Sequence, residues 1–307
     1  YAVADLSGDA VLAQFINVAD ASATDTRRWT GIAASASVMS AVGLPSEFTV
    51  EVKDLKVRSN SVSGALDSVA APAINWNALF AATTNPLNGL SGSPSLVVSG
   101  LVRLNLGGYV LAAGVFTLGK STQSGVVLGD NGTVSIDLLT IDLTGVNLFV
   151  GVGASFAGET GVIVTTTGSG PTLSTVATGF LASGANLSVA MAKSTAANDT
   201  RRWTGIAASA ASMSVVGLPT EFTVEVKNLS VKYNTASGAA GGTNAEAIDW
   251  SSVVTTVGNP IRTLTSDYSF VVSGVMRLNL GGYVLASGSF VVAKTQTSVA
   301  VTDSESV

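Results

Sequence analysis

The sequence predicts an all-β fold assembled from repeats and arranged as a β-solenoid, with a row of tandem β-sandwich domains as the alternative. Three observations lead there: strict apolar–polar alternation in several segments, a near-verbatim internal duplication, and a chain rich in Val, Thr, Ser and Gly but poor in helix-forming Glu, Lys and Gln.

The alternation is clearest in "EFTVEV" from Glu47, which places Phe48, Val50 and Val52 on one face and Glu47, Thr49 and Glu51 on the other. "LVRLNLGGYVL" from Leu101 alternates likewise, and its Gly107–Gly108 pair predicts a tight turn between two strands. The Ala-rich stretches "GIAASASVMSAVG" and "FLASGANLSVAMAK" have helical propensity. Their embedded Gly and Ser and their β-like flanks favour short strands instead. A smaller motif, "GVNLFVGVG", "GANLSVAMA" and "VKNLSVKYN", carries Asn-Leu, one residue, then Val. Stacked coils with a polar Asn at a corner and inward Leu and Val would produce it, and this motif places the solenoid ahead of the sandwiches.

The duplication organises the chain. Arg27–Asn60 returns as Arg201–Asn234, and the same offset carries "INW" at Ile74 onto "IDW" at Ile248 and "VVSGLVRLNLGGYVLAAGVFTLGK" at Val97 onto "VVSGVMRLNLGGYVLASGSFVVAK" at Val271. Two units follow: a first repeat over 1–174 with an incomplete start, and a second over 175–307 with an incomplete end. Val134–Ser174 occurs once, because Val301–Val307 aligns with Val127–Thr133. The expectation is a window on a longer array that continues on both sides.

Composition narrows the functional classes. Hydrophobic residues make up 47% and charged residues 11%, so polar surface has to come from Ser, Thr, Asn and Gly. The mean hydropathy of +0.47 raises the question of a membrane. Apolar runs such as Tyr109–Leu118 are too short and glycine-broken for a spanning helix, and the few aromatics lack the girdle spacing of a membrane barrel. A net charge of −5 excludes a basic nucleic-acid surface. With no cysteine there are no disulfides or thiolate metal sites, a habit of large exported bacterial proteins.

Chemistry is sparse. The chain has no histidine, so Ser-His-Asp triads and histidine metal sites are ruled out. "GVFTLGKS" at Gly114–Ser121 satisfies the phosphate-loop pattern, but "VFTL" reads as strand, and the second copy, "GSFVVAKT", has Ala293 for the second glycine. Asp130, Asp137 and Asp142 lack calcium-loop spacing: Asp130 reads as a turn residue, the other two as solvent-facing strand positions. No cofactor is expected, calcium being the weak alternative. Glu47 and Glu51 share a strand face as an acid/base pair would, and as any amphipathic strand does. Asn131, Asn186, Asn198 and Asn228 fall in N-x-[ST], a pattern that Ser/Thr-rich chains generate by chance.

The remaining polar concentration is "DTRRWTG", which occurs twice in a chain that otherwise avoids charge. Arg27, Arg28 and Trp29, with Arg201, Arg202 and Trp203, could grip a sugar or an acidic polymer. The favoured reading is structural: Asp25 bonds the turn backbone or an arginine, Trp29 packs inside, and the arginines hold the repeat or its contact with a neighbour. The other tryptophans, Trp76 and Trp250, are also expected to be buried.

"SGANLSVAMAK", "DTRRWTGIAAS", "FTVEVKNLSVKYN", "AINW" and "LNLGGYVLASGSF" together resemble the tandem repeats of giant bacterial secreted and surface adhesin-like proteins. The resemblance implies an extracellular or cell-surface stalk, adhesin or fibre, often stiffened by calcium, a habit from which this Asp-poor chain departs. It carries over no catalytic residue. The function expected is therefore structural and non-enzymatic: a rod, fibre or filament partnered end to end with copies of itself. An adhesin segment for glycans or a partner cell surface is the alternative, and a polysaccharide-active enzyme the least favoured.

Overall fold

The computed structural model describes residues 2–5, 10–16, 24–41, 45, 48–80, 85–90, 92–93, 95–127, 132–157, 163–164, 177–219, 221–254, 256 and 258–295. Glu47, Asp130, Asn131, the repeat boundary at 174–175 and both chain ends lie outside them.

The fold is all-β. Its first half contains β1 (Ala2–Asp5), β2 (Ala10–Ile16), β3 (Arg28–Ala41), β4 (Phe48–Ser63), a small hairpin of β5 (Ala65–Leu66) and β6 (Val69–Ala70), a one-turn helix α1 (Trp76–Phe80), β7 (Ser95–Leu106) and β8 (Val110–Val127). Then come β9 (Thr133–Val152), β10 (Ser155–Phe156) and β11 (Ile163–Val164). The second half repeats the first with β12 (Thr178–Ser194), β13 (Arg202–Val216), β14 (Phe222–Ser237), the hairpin β15 (Ala239–Ala240) and β16 (Thr243–Asn244), two 3-10 turns at Trp250–Ser252 and Pro260–Thr263, β17 (Tyr268–Leu280) and β18 (Val284–Thr295).

Among the described residues twelve strands form one sheet in chain order, β3-β4-β7-β8-β9-β12-β13-β14-β17-β18, with β1 and β2 both lying along β3. Every pairing is antiparallel, so the sheet is a meander and departs from the parallel coils expected of a solenoid. Tight hairpins explain the difference. The Gly107–Gly108 turn has φ of 63° and 72°, and Gly281–Gly282 has 61° and 76°. Each turns the chain back on itself and so makes the next strand antiparallel. Asn105 Oδ1 accepts from the Gly108 amide at 2.8 Å and Asn279 Oδ1 from Gly282 at 2.9 Å, fixing both turns.

The meander does not break into two sandwiches at the repeat boundary, because β9 of the first repeat pairs with β12 of the second from Thr178↔Val152 to Ser194↔Ile136. The Ala-rich stretches lie in strands, but long ones: β3 has 14 residues and β12 has 17.

The Asn-Leu motif has a different origin from a solenoid corner. It marks β-bulges inside long strands. Asp54 in β4 and Asn228 in β14 have φ of 50°, while Gly145 in β9 and Gly184 in β12 have 61°. The register slips at these places, between Lys53 and Lys56, between Lys227 and Ser230, and between Ala182 and Ala185. Only Gly, Asn and Asp enter this left-handed conformation readily, which is why Asn228 supplies it in one copy of the motif and the glycine two places before Asn in the other two.

The core is made by laying connections over one region of the sheet. The β4–β7 connection packs Trp76, Leu87 and Leu90 on Ala33, and the β14–β17 connection packs Trp250, Val253, Ile261 and Leu264 on Ala190, Ala192, Trp203 and Ala207. The first alanine of each "GIAAS", Ala33 and Ala207, lies on the floor of its core. Toward the other end of β9, Phe149 packs with Leu111 and Ala177 beneath Phe156 and Ile163. The apolar alternation of "EFTVEV" is not fully buried, since Phe48 is 42% exposed.

The bulges give the first test. Asn228→Val should lower stability by about 1–2 kcal/mol, because a β-branched side chain resists the left-handed conformation. Asn228→Gly should leave the urea midpoint almost unchanged, and an equal loss in both variants would contradict a backbone origin.

Candidate functional site

The duplicated polar segment is a staple between the start of one strand and the connection that covers the sheet. In the first repeat Asp25 accepts three hydrogen bonds from one residue: the Arg27 amide at 3.1 Å, its Nε at 3.0 Å and its Nη2 at 2.8 Å. Asp199 receives the same set from Arg201 at 3.0, 3.0 and 2.7 Å. The carboxylates are buried, with Asp25 1% and Asp199 6% exposed. The hydrogen bonds from the Arg201 side chain hold the Asp199 carboxyl far below the ordinary aspartate range against the opposing effect of burial.

Each neighbour of the pair has a partner in the covering connection. The Thr26 hydroxyl and the Ala65 backbone bond reciprocally at 3.2 and 3.0 Å, as do Thr200 and Ala239 at 3.0 and 3.0 Å. Gly64 and Gly238, both at φ 81°, let the chains approach, since a Cβ there would lie on the carbonyl of Thr26 or Thr200. The Trp29 indole donates to the Pro72 carbonyl at 2.7 Å and Trp203 to the Glu246 carbonyl at 2.9 Å. The first arginine of each pair also lies over the following indole, Arg27 at 5.6 Å and Arg201 at 5.7 Å from the ring centroid.

The two adjacent arginines therefore have separate places. Arg27 and Arg201 are enclosed in the turn, while Arg28 and Arg202 are exposed on the first residue of their strands. Trp203 is buried and Trp29 half-buried, because β9 and β12 supply apolar neighbours beside Trp203.

A second constellation was missed at the sequence level. Asn60 and Asn234 are 1% and 2% exposed. Asn234 donates to the carbonyls of Ile248 and Thr265 at 2.9 and 2.8 Å and accepts from the Trp250 indole at 2.9 Å. Asn60 does the same with Ile74, Ser93 and Trp76 at 3.0, 3.2 and 2.8 Å. Trp76 and Trp250 lie against Gly31 and Gly205, where a Cβ would come within 2.8 and 2.6 Å of the indole. The available signal was the joint return, at one offset, of the glycine in "RRWTG", the closing Asn of "KVRSN" and "VKYN", and the Trp of "INW" and "IDW".

The remaining candidates are scattered. Gly114–Ser121 lies wholly inside β8, so its glycines wrap no phosphate. Asp137 is half-buried, departing from the solvent-facing expectation. Its carboxyl is held below the usual range first by a hydrogen bond from Thr122 at 2.9 Å and then by Lys193 at 3.3 Å. Asp142 is likewise engaged, accepting from Asn259 at 2.9 Å. Glu51 is paired with Arg103 at 3.1 Å. Among the described residues no group of three acidic, histidine or cysteine side chains is placed to hold a metal. A cleft of about 450 Å³ lies beside the second staple, lined by Lys120, Asp137, Met191, Lys193, Arg202 and Trp203 among others. Comparison with protein-family models, curated proteins and solved structures returned no match.

Two predictions follow from this geometry. Arg201→Ala should destabilise by about 2–3 kcal/mol, because it strands a buried carboxylate, whereas Arg202→Ala at an exposed position should stay within about 0.5 kcal/mol. The stability difference between the parent chain and Asp199→Asn should carry a matching pH signature. The carboxyl is more acidic folded than unfolded, so the staple's contribution is full above the unfolded value of about 3.9 and fades as pH falls below it. Urea titrations from neutral to acidic pH measure both effects. Separately, Lys120→Ala should leave ATP binding unchanged in equilibrium dialysis, since the residue sits on a strand; saturable binding lost on substitution would contradict that placement.

Proposed function

We propose that the chain is a structural, non-enzymatic, extracellular repeat protein whose units join edge to edge into a rod or fibre. The observation that carries this reading is the continuity of the sheet: β9 joins β12 across fourteen paired positions, giving adjoining repeats a hydrogen-bonded seam. The finer architecture is then a row of six-strand units, β12-β13-β14-β17-β18 followed by a β9-type strand, in place of stacked coils or separate sandwiches. An even number of antiparallel strands returns the chain to its starting direction, so each unit can follow the last in the same orientation. The duplicated charges support the reading too, since one arginine of each pair is engaged in its own turn. Absence of cysteine and a Ser/Thr-rich surface fit an extracellular or cell-surface location.

The adhesin reading has one observation in its favour: the cleft beside β13 collects Lys120, Lys193 and Arg202 around a largely apolar floor, a combination suited to an acidic glycan. It is second because the indole in that cleft, Trp203, is 1% exposed and offers no face for a sugar to stack on.

A seam of backbone hydrogen bonds and small apolar side chains should resist salt, because screening weakens exposed ion pairs and leaves buried apolar surface intact. Sedimentation and electron microscopy at low and high sodium chloride should both give elongated material. Dissociation to compact monomers at high salt would contradict a strand-paired seam, and compact monomers under both conditions would remove the fibre reading.

A further inference from the structure

The internal duplication provides a matched control for the sheet's last strand. β18 reads "VLASGSFVVAKT" and its copy within β8 reads "VLAAGVFTLGKS". β8 is paired on both sides, by β7 and by β9, whereas β18 is paired only by β17 among the described residues. Matched positions therefore report what β18 lacks.

Leu111 is 2% exposed, opposite Phe149 of β9, while its copy Leu285 is 74% exposed. Gly114 is required by its surroundings: a Cβ there would come within 2.8 Å of Val146 Cγ2 on β9. Its copy Gly288 has open space where that Cβ would go, yet it is still glycine. Arg103 lies 4.7 Å from the ring centroid of Phe156, just after β9, and the cavity beside it measures about 120 Å³. Its copy Arg277 is exposed and lines a groove of about 420 Å³ with Thr223, Asn279, Leu285 and Ser287.

All three vacancies are filled in the first repeat by one segment, Thr133–Phe156. We infer that the free edge of β18, with the groove around Arg277, is the docking site for a strand of the Thr133–Phe156 pattern supplied by a further repeat of the same kind. The inference rests on the edge-to-edge reading above and names the strand that makes the junction. The incoming strand pairs with β18 as β9 pairs with β8, lays a phenylalanine on Leu285, fits a β-branched side chain over Gly288 and sets a second aromatic ring on Arg277. The opposite edge fits the same rule: β2 ends with Ile16 opposite Arg28 as β12 pairs Lys193 with Arg202, and the outer neighbour of β12 is β9. One strand type thus completes both edges.

The native absence of cysteine allows a direct test. Leu285→Cys in the full chain should react quickly with a thiol reagent, and Leu111→Cys slowly. A synthetic Thr133–Phe156 peptide should slow Leu285→Cys labelling at least about tenfold and protect the amides of 284–295 from hydrogen exchange. A peptide carrying Val146→Asp and Phe149→Asp should do neither. A chain extended after Val307 by a second copy of Val134–Phe156 makes the same test without relying on peptide solubility. An unchanged labelling rate in the extended chain would overturn the proposal, as would protection given equally by the Asp-substituted strand or found only at β2. Fibres that form while Leu285→Cys stays open would refute this junction and leave the fibre reading standing. Protection without elongated material would do the reverse.

Discussion

An indole lying flat on a glycine is the contact on which each repeat depends. Gly205 and Gly31 remove the side chain that would hold Trp250 and Trp76 off the sheet, and a buried asparagine then takes the indole N–H. The same asparagine donates to two carbonyls of the connection, so one residue ties the cover to the strand below it. Losing Asn234 would leave the Trp250 indole N–H and the Ile248 carbonyl buried without this partner, each at a cost on the order of 1–3 kcal/mol.

The staple works alongside that contact. Asp199 and Arg201 satisfy each other within a single turn, and Thr200 and Trp203 reach into the connection through its backbone. The cover is therefore held at Ala239 and Glu246 by the staple and at Ile248 and Thr265 by the asparagine. Two of the chain's few carboxylates, Asp25 and Asp199, are enclosed and bonded in such a turn.

Bulges and hairpins set the direction in which the sheet extends. Each paired-glycine turn reverses the chain, and each left-handed Gly, Asn or Asp lets a long strand bend without losing its neighbour. The sheet therefore extends laterally, strand beside strand, and β9 occupies the position at which the first repeat meets the second. Leu111 is buried opposite Phe149 of β9, whereas its copy Leu285 is exposed on a strand paired only by β17 among the described residues.

The sequence by itself determined the β class, the two-fold repetition, the glycine hairpins and the burial of Trp76, Trp203 and Trp250, because alternation, offset and turn chemistry are local properties of the chain. It also exposed the Asp-Thr-Arg-Arg-Trp segment as a concentration of polar chemistry. Only the tertiary structure decided that the strands form an antiparallel meander, since strand pairing depends on which distant edges meet and the Asn-Leu motif suits a bulge as well as a corner. It alone separated Arg201 from Arg202, because Arg201 lies in the turn against the Asp199 carboxylate while Arg202 opens β13 on its exposed side. The role of Asn234 was hidden for the same reason: its partners Ile248, Trp250 and Thr265 lie in a connection that only folding brings over it.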